Sequence, residues 1–224
     1  AKEEIYQFAK ADAIRIYNLD NQLTHAMWER AQKQYPKAKK IITFSQNPSS
    51  GADICLQIKK LTMSSLQLVG SIAGVSIEAL VPVFGEHNLV NLMVAASIGY
   101  ALGMSAHEIE LALPRCRTNW GRNQLVHLQS GAELLFDGYN ANPDSMKALI
   151  DNTKLLKNSG KKIAVLAQML EMGEQSPQLH EELGEMAGQA DFDVLWFYGA
   201  DSAAFERGAR AVGFKNKLVI SNTY

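Results

Sequence analysis

The 224-residue sequence predicts an α/β protein in two parts, and three observations lead to that expectation. Residues 53–83 read as three alternating strands of similar length, "DICLQIKKL", "SSLQLVGSI" and "GVSIEALVPV", joined by Thr-Met-Ser and Ala-Gly turns, the pattern of an antiparallel meander. From about residue 132 onward, apolar strands alternate with helical stretches, which implies βαβ units and a parallel sheet covered by helices on both faces. Between the two runs a polar link, "RCRTNWGR", follows Pro114, so the division falls between 1–114 and 115–224.

Each element has a local reason. Ahead of the meander, residues 3–11 are helical in pattern, "AIRIYNL" is a strand, Asn21 caps a helix running to Gln34, and "KKIITFS" is a second strand. Behind it, helices are expected over 89–102 and 106–113, the second capped by Ser105 with Glu108 at capping-box spacing, and Pro114 ends the unit. In the second part "AELLFD" opens as a strand; a helix over 144–157, "KKIAVLAQ", a helix over 177–189, "DVLWFYG", a helix over 202–212 and "KLVIS" follow. Ligands of open parallel sheets sit at the carboxyl ends of the strands. That rule singles out residues 137–142, 168–171 and 199–201.

Composition excludes several classes of function. Lys plus Arg number 22 against 23 Asp plus Glu, a formal charge of -1, so no basic excess points to nucleic acid or to an anionic membrane, and small-molecule chemistry is expected. With 47% hydrophobic residues the chain can bury a sizeable core and reads as soluble and globular. The longest apolar run, 89–104, is broken by Asn91, Ser97 and Gly99 and is too short and polar for a membrane span. Cys55 and Cys116 fit no metal-ligand spacing and, with no secretory signal, read as reduced thiols of a cytoplasmic protein. The sequence opens on Ala1-Lys2 already in helical pattern and stops after "KLVISNTY", as expected of a fragment.

Two stretches carry chemistry. "FDGYNANPDSM" leaves a strand, crosses small and polar residues and enters a helix at Pro143, where a missing N–H costs nothing; the free amides of that helix start suit an anion. A plainer reading makes Asn142 the helix cap and Asp137 a strand-end turn residue. "GEHNLVN" sets His87, Asn88 and Asn91 at the entrance of an apolar helix, with the two amides one turn apart on one face. Here the plainer reading has Asn88 capping the helix and Asn91 bonding a neighbouring loop.

"YNANPDSM" after a strand ending in Asp resembles the carboxy-terminal domain of the Mur ligase family, in the form that carries Asn rather than His at the first loop position; that form marks the D-alanyl-D-alanine-adding branch. Other segments agree in order along nearly the whole chain. "AKEEIY" resembles the family's Ala-Lys-x-x-Ile helix, "NLDN" its Asn-x-Asp-Asn strand end, and "GEHNLVN" its Gly-Arg-His-Asn-x-x-Asn segment. Gly121-Arg122 matches its inter-domain Gly-Arg, and "MLEMGEQSPQLHEELGE" its Met-x-Glu-Leu-Gly…His segment.

The resemblance implies that residues 1–114 are the rear part of a central ATP-binding α/β domain and 115–224 an incomplete Rossmann-like ligase domain. It implies an ATP-dependent, Mg²⁺-using amide ligase of peptidoglycan-precursor synthesis, cytoplasmic and monomeric, that joins D-alanyl-D-alanine to UDP-N-acetylmuramoyl-tripeptide through an acyl phosphate. Neither nucleic acid nor membrane insertion is expected. By the same resemblance His87, Asn88 and Asn91 lie by adenine, Arg122 against the phosphates and Asp137 near the ribose hydroxyls, with Tyr139, Asn140 and Asn142 in support. Lys2, if carbamoylated, would be a catalytic, carboxylate-like ligand of Mg²⁺.

Departures from the family also stand in the sequence. No G-x-x-x-x-G-K-[ST] phosphate loop occurs in the 224 residues, so the piece alone is expected to be inactive. Glu86 stands where the family often has Arg, Gly138 where it has Ser, and Ala167-Gln168 where it has Gly-Asp. A sibling Mur ligase or a folylpolyglutamate synthase would share the fold and ATP site, and a truncated, non-catalytic nucleotide-binding module is the remaining alternative.

Overall fold

One sheet changes from parallel to antiparallel pairing part-way across, and this organises the first half of the chain. The computed structural model describes residues 3–154 and 160–222, and contacts divide the chain into two units, 1–118 and 119–224. In the first unit β1 (Arg15–Asn18), β2 (Ile41–Ser45), β3 (Ile54–Leu61), β4 (Leu66–Ile72) and β5 (Val75–Val81) lie side by side in chain order. β1, β2 and β3 run parallel; β3, β4 and β5 are antiparallel, as the meander pattern predicts. The change follows from the connections. α2 (Gln22–Gln34) is the crossover between the parallel strands β1 and β2, residues 46–53 with a 3-10 turn connect the parallel β2 and β3, and short turns join β3, β4 and β5.

Asn21 caps α2 as expected, its side-chain oxygen accepting from Leu23 N at 3.1 Å and Thr24 N at 3.2 Å. α3 (Asn88–Ala101) buries Leu89, Leu92, Met93 and Ala96 in one core with Ile42, Phe44, Ile54 and Leu56 of the sheet. α4 (Ala106–Ala112) starts in the expected capping box, with Ser105 N donating to the Glu108 carboxylate at 2.8 Å and Glu108 N to Ser105 Oγ at 3.3 Å. Cys55 is buried and Cys116 half-buried, and burial pushes both thiols above their ordinary range. Neither is primed as a nucleophile.

The helix expected over residues 3–11 is a single turn, α1 (Glu4–Gln7). Its early end has a visible cause in Arg15, which is buried against the segment and donates to Tyr6 O at 3.2 Å, Lys10 O at 3.3 Å and Ala13 O at 3.0 Å. Carbonyls that a longer helix would offer to its own amides are turned toward the guanidinium instead. The Tyr35 ring, 4.0 Å from the guanidinium carbon, covers the other side. Lys2 lies outside the described residues.

In the second unit β8 (Ile163–Ala167), β9 (Val194–Tyr198) and β10 (Lys217–Ser221) form a parallel sheet in the order β10-β9-β8. Two expectations are corrected here. "AELLFD" is not a strand of that sheet: it is β7 (Glu133–Phe136), paired antiparallel with β6 (Gln124–His127) in a separate hairpin. The turn at Ser130-Gly131 folds the chain back, with Leu128 N donating to Ala132 O at 2.9 Å, and strand pairing with the nearest neighbour wins. The parallel sheet is also not covered on both faces by the described helices. α5 (Pro143–Lys154), α6 (Ser176–Gly188) and α7 (Ser202–Ala211) all contribute to one core, through Met146, Ile150, Leu183, Ala187, Phe205 and Ala209, against Ala164, Leu166, Leu195 and Phe197. The alternate residues Ile163 and Val165 remain 60% and 67% exposed. The end of the helix expected to reach residue 157 lies outside the described residues.

α6 and α7 meet backbone to backbone, which only glycine at the crossing allows. A Cβ on Gly184 would lie 2.1 Å from Phe205 O, and one on Gly208 1.9 Å from Glu181 O. Side chains of any size would part the helices and open the Phe197–Phe205 stack, whose ring centroids are 4.4 Å apart. Gly208→Ala is therefore expected to destabilise the protein by about 1–3 kcal/mol despite the better helix propensity of Ala. An unchanged urea midpoint would show that the helices are not in backbone contact.

Candidate functional site

The mouth of the β6–β7 hairpin gathers charged and aromatic groups within a few residues. The last paired rung is Gln124↔Phe136, so Asn123 and Asp137 stand opposite each other one step further on. Asn123 adopts a left-handed conformation, φ +47°, which Asn tolerates better than most residues. Its backbone N donates to Asp137 Oδ1 and its Nδ2 to Asp137 Oδ2, both at 3.1 Å. Next to this pair Tyr139 N donates to Gly121 O at 3.1 Å, and the Arg122 guanidinium carbon sits 4.2 Å from the centre of the Tyr139 ring. Trp120 packs on Phe136 below, with centroids 5.2 Å apart. "GRN" and "DGY" are thus clipped together at both ends.

Arg122 and Tyr139 are exposed and Asp137 is half-buried, so a guanidinium and a carboxylate face solvent side by side on a braced turn. A guanidinium stacked on a ring keeps its in-plane N–H donors at its edge, suited to phosphate oxygens. A carboxylate has about four acceptor positions, of which Asn123 takes two, and the remainder suit hydroxyl donors. Asn140 is exposed in the same loop. Asn142 is placed differently: its side-chain oxygen accepts from Ser145 N at 2.9 Å while its own N donates to Ser145 Oγ at 3.1 Å, which makes it the N-cap of α5.

In the first unit, Asn88 is buried and its amide is engaged within the protein. Nδ2 donates to Phe84 O at 2.7 Å and lies 3.2 Å from His87 Nε2, while Oδ1 accepts from Asn91 Nδ2 at 3.1 Å. The cap position of α3 belongs to His87, without a side-chain cap bond. Asn91 is the exposed member of the trio and His87 is half-buried. The "NLDN" segment is also consumed by structure: besides the Asn21 cap, Asp20 accepts from Ser45 Oγ at 2.5 Å and from Gln46 N at 2.8 Å, tying the ends of β1 and β2 together.

The other two strand ends, residues 168–171 and 199–201, are joined to each other. Ala200 N donates to Gln168 Oε1 at 2.5 Å, and Gln168 Nε2 donates to Asp201 Oδ2 at 3.1 Å, which also accepts from Ser176 Oγ at 2.7 Å. Fully buried His180 accepts from Met169 N at Nε2, 2.9 Å, so its proton sits on Nδ1, 2.7 Å from Ser176 O. This imidazole braces the loop. Among the described residues no three His, Cys, Asp or Glu side chains gather to hold a metal, and Lys2, the residue expected to do so, lies outside them. No described helix is long and apolar enough to cross a membrane.

Comparison with known proteins finds matches over nearly the whole chain. Residues 1–99 match the model of the Mur ligase middle domain, and residues 121–222 that of the Mur ligase glutamate ligase domain. The chain belongs to the Mur ligase family. It is similar to UDP-N-acetylmuramoyl-tripeptide--D-alanyl-D-alanine ligase of Bacillus subtilis (strain 168), 29% identical over 93% of this chain and 43% of that one. Its fold is similar to the crystal structure of MurF from Acinetobacter baumannii, with a TM-score of 0.83 and 26% identity over 100% of this chain and 46% of that one. The structure of MurF ligase from Thermotoga maritima in complex with ADP shares the fold at a TM-score of 0.71 and 23% identity, over 99% of this chain and 47% of that one. The chain spans less than half the length of these relatives.

Sequence reasoning picked Arg122, Asp137 and Tyr139 for their Mur ligase counterparts but not Asn123. The missed signal was the apolar stretch "QLVHL" ahead of Ser130-Gly131, which marks a hairpin and places residue 123 opposite 137. For the first unit, Asn88→Ala is expected to cost about 1–3 kcal/mol, because it leaves the buried Phe84 carbonyl without its donor. Asn91→Ala, at an exposed position, is expected to change stability by less than about 0.5 kcal/mol. Equal losses in chemical denaturation would show that Asn88 is not the buried anchor of the trio.

Proposed function

We propose that this chain is the part of a UDP-N-acetylmuramoyl-tripeptide--D-alanyl-D-alanine ligase that carries the adenine and ribose contacts for ATP and the domain that takes the incoming dipeptide. The likeness to the Bacillus subtilis enzyme over 93% of the chain supports the reaction, and the braced hairpin mouth supports the nucleotide contact. In this reading Arg122 meets the phosphates, the Asp137 carboxylate accepts from the ribose hydroxyls, and exposed Asn91, held by buried Asn88, presents its amide to the purine edge. Tyr139 supports Arg122 by stacking, and Asn142 acts by starting α5 so that the loop with Asn140 is fixed. The enzyme is cytoplasmic and works as a monomer.

The chemistry activates a carboxylate that is a poor electrophile at neutral pH. An oxygen of the tripeptide carboxylate attacks the γ-phosphorus of ATP, ADP leaves, and an acyl phosphate forms. The amine of D-alanyl-D-alanine then attacks the acyl carbon; a tetrahedral intermediate collapses with loss of phosphate, and the nitrogen gives up a proton to leave the amide. Such transfers depend on positioning and charge neutralisation more than on covalent help from the protein. Among the described residues no three His, Cys, Asp or Glu side chains gather to hold the family's Mg²⁺.

In the intact gene product, Asp137→Ala is expected to raise the KM for ATP about ten- to a hundredfold, the worth of a charge-assisted hydrogen bond, with kcat nearly unchanged. The same preparation should add D-alanyl-D-alanine to UDP-N-acetylmuramoyl-tripeptide and release phosphate in step. Preferential ligation of a single amino acid would replace this reading by that of a sibling ligase.

A further inference from the structure

We propose that Asn123 is a positioning residue that fixes the Asp137 carboxylate for recognition of a vicinal diol, the ribose of the nucleotide. The inference rests on the assignment of Asp137 to the ribose and adds a residue to it. A carboxylate at the end of a four-residue strand would ordinarily sample several staggered rotamers. Here both of its oxygens are engaged, by the backbone N–H and the side-chain amide of one neighbour, at 3.1 Å each. Two bonds from a single residue select one orientation of the carboxylate plane, and the acceptor positions they leave are presented together, as a pair of adjacent hydroxyls requires.

The backbone geometry makes this arrangement specific to few residue types. Residues 123 and 137 are opposite each other in the hairpin register, where an ordinary pair would continue the ladder through backbone groups. The left-handed φ of +47° turns the Asn123 N–H out of the ladder and toward the carboxylate, and the short amide side chain reaches the second oxygen. Glycine would keep the first bond and lose the second. Aspartate would keep the size and the backbone preference but set a carboxylate against a carboxylate. Asn123 thereby also couples the two candidate ligands, since Arg122 precedes it directly and Tyr139, against which Arg122 stacks, is bonded to Gly121.

The test uses the intact gene product with Asn123→Gly, Asn123→Asp and Asp137→Ala, measuring KM and kcat with ATP and with 2′-deoxy-ATP. Asn123→Gly is expected to raise the KM for ATP about three- to tenfold with kcat unchanged, and to narrow the preference for ATP over 2′-deoxy-ATP. Asn123→Asp is expected to raise it further, and both variants should melt within a few degrees of the parent. An unchanged KM and preference in Asn123→Gly, beside a raised KM in Asp137→Ala, would overturn the role of Asn123 and leave the ribose assignment standing. An unchanged KM in Asp137→Ala would overturn the ribose assignment itself. Should Asn123→Gly not fold, Asn123→Asp carries the same comparison, and a normal KM in it overturns the proposal.

Discussion

The candidate site depends on a hairpin whose paired strands end at Gln124↔Phe136 and whose next step is closed by the Asp137 carboxylate on Asn123. Beyond Gln124↔Phe136 the ladder is continued by Asn123 and the Asp137 carboxylate, and by the bond from Tyr139 N to Gly121 O. Because the strands have only four residues each, their backbone bonds fix little by themselves. The bonds from Asn123 to the Asp137 carboxylate close the mouth of the hairpin. They also set the spacing between a guanidinium and a carboxylate that would otherwise wander on separate loops. Structure and candidate chemistry thus share the same atoms at residues 123 and 137.

The first unit solves a different problem with similar economy. A sheet that changes direction needs firm strand ends on its parallel side, where no tight turn locks the register. Asp20 supplies this by accepting from Ser45 and Gln46 across the tips of β1 and β2, and Asn21 starts the crossover helix at the next residue. Buried Arg15 fastens the segment ahead of β1 by its carbonyls. The buried Asn88 does the equivalent at the start of α3, holding Phe84 and Asn91. Arg15 and Asn88 are buried, and their bonds to backbone carbonyls offset the cost of desolvation, whereas Asp20 and Asn21 act from exposed positions.

Much of the fold was legible because periodicity and caps are local. The meander, the Asn21 cap, the Ser105-Glu108 box and the three strands of the parallel sheet follow from alternation and capping chemistry that a few neighbouring residues decide. What was not legible depends on distant partners. The shortening of α1 is caused by Arg15, several residues beyond it, and no propensity announces it. The pairing of β7 was misassigned because a strand followed by a helix reads as part of a βαβ unit; only its partner at 124–127 reveals the hairpin. In the candidate site, motif likeness located Arg122, Asp137 and Tyr139, but their bracing by Asn123 is a property of register. Asn142 shows the converse, since a residue in the most diagnostic loop spends its side-chain oxygen on capping α5.

The most direct measurement of the central claim, that the hairpin mouth is a preorganised nucleotide contact, is a crystal structure of the intact gene product with a non-hydrolysable ATP analogue. The ribose hydroxyls are expected within about 3.2 Å of the Asp137 carboxylate, with both Asn123 bonds retained and the Arg122 guanidinium facing the phosphates. A ribose bound elsewhere, or an Asp137 carboxylate that swings away from Asn123 when the nucleotide is present, would contradict it.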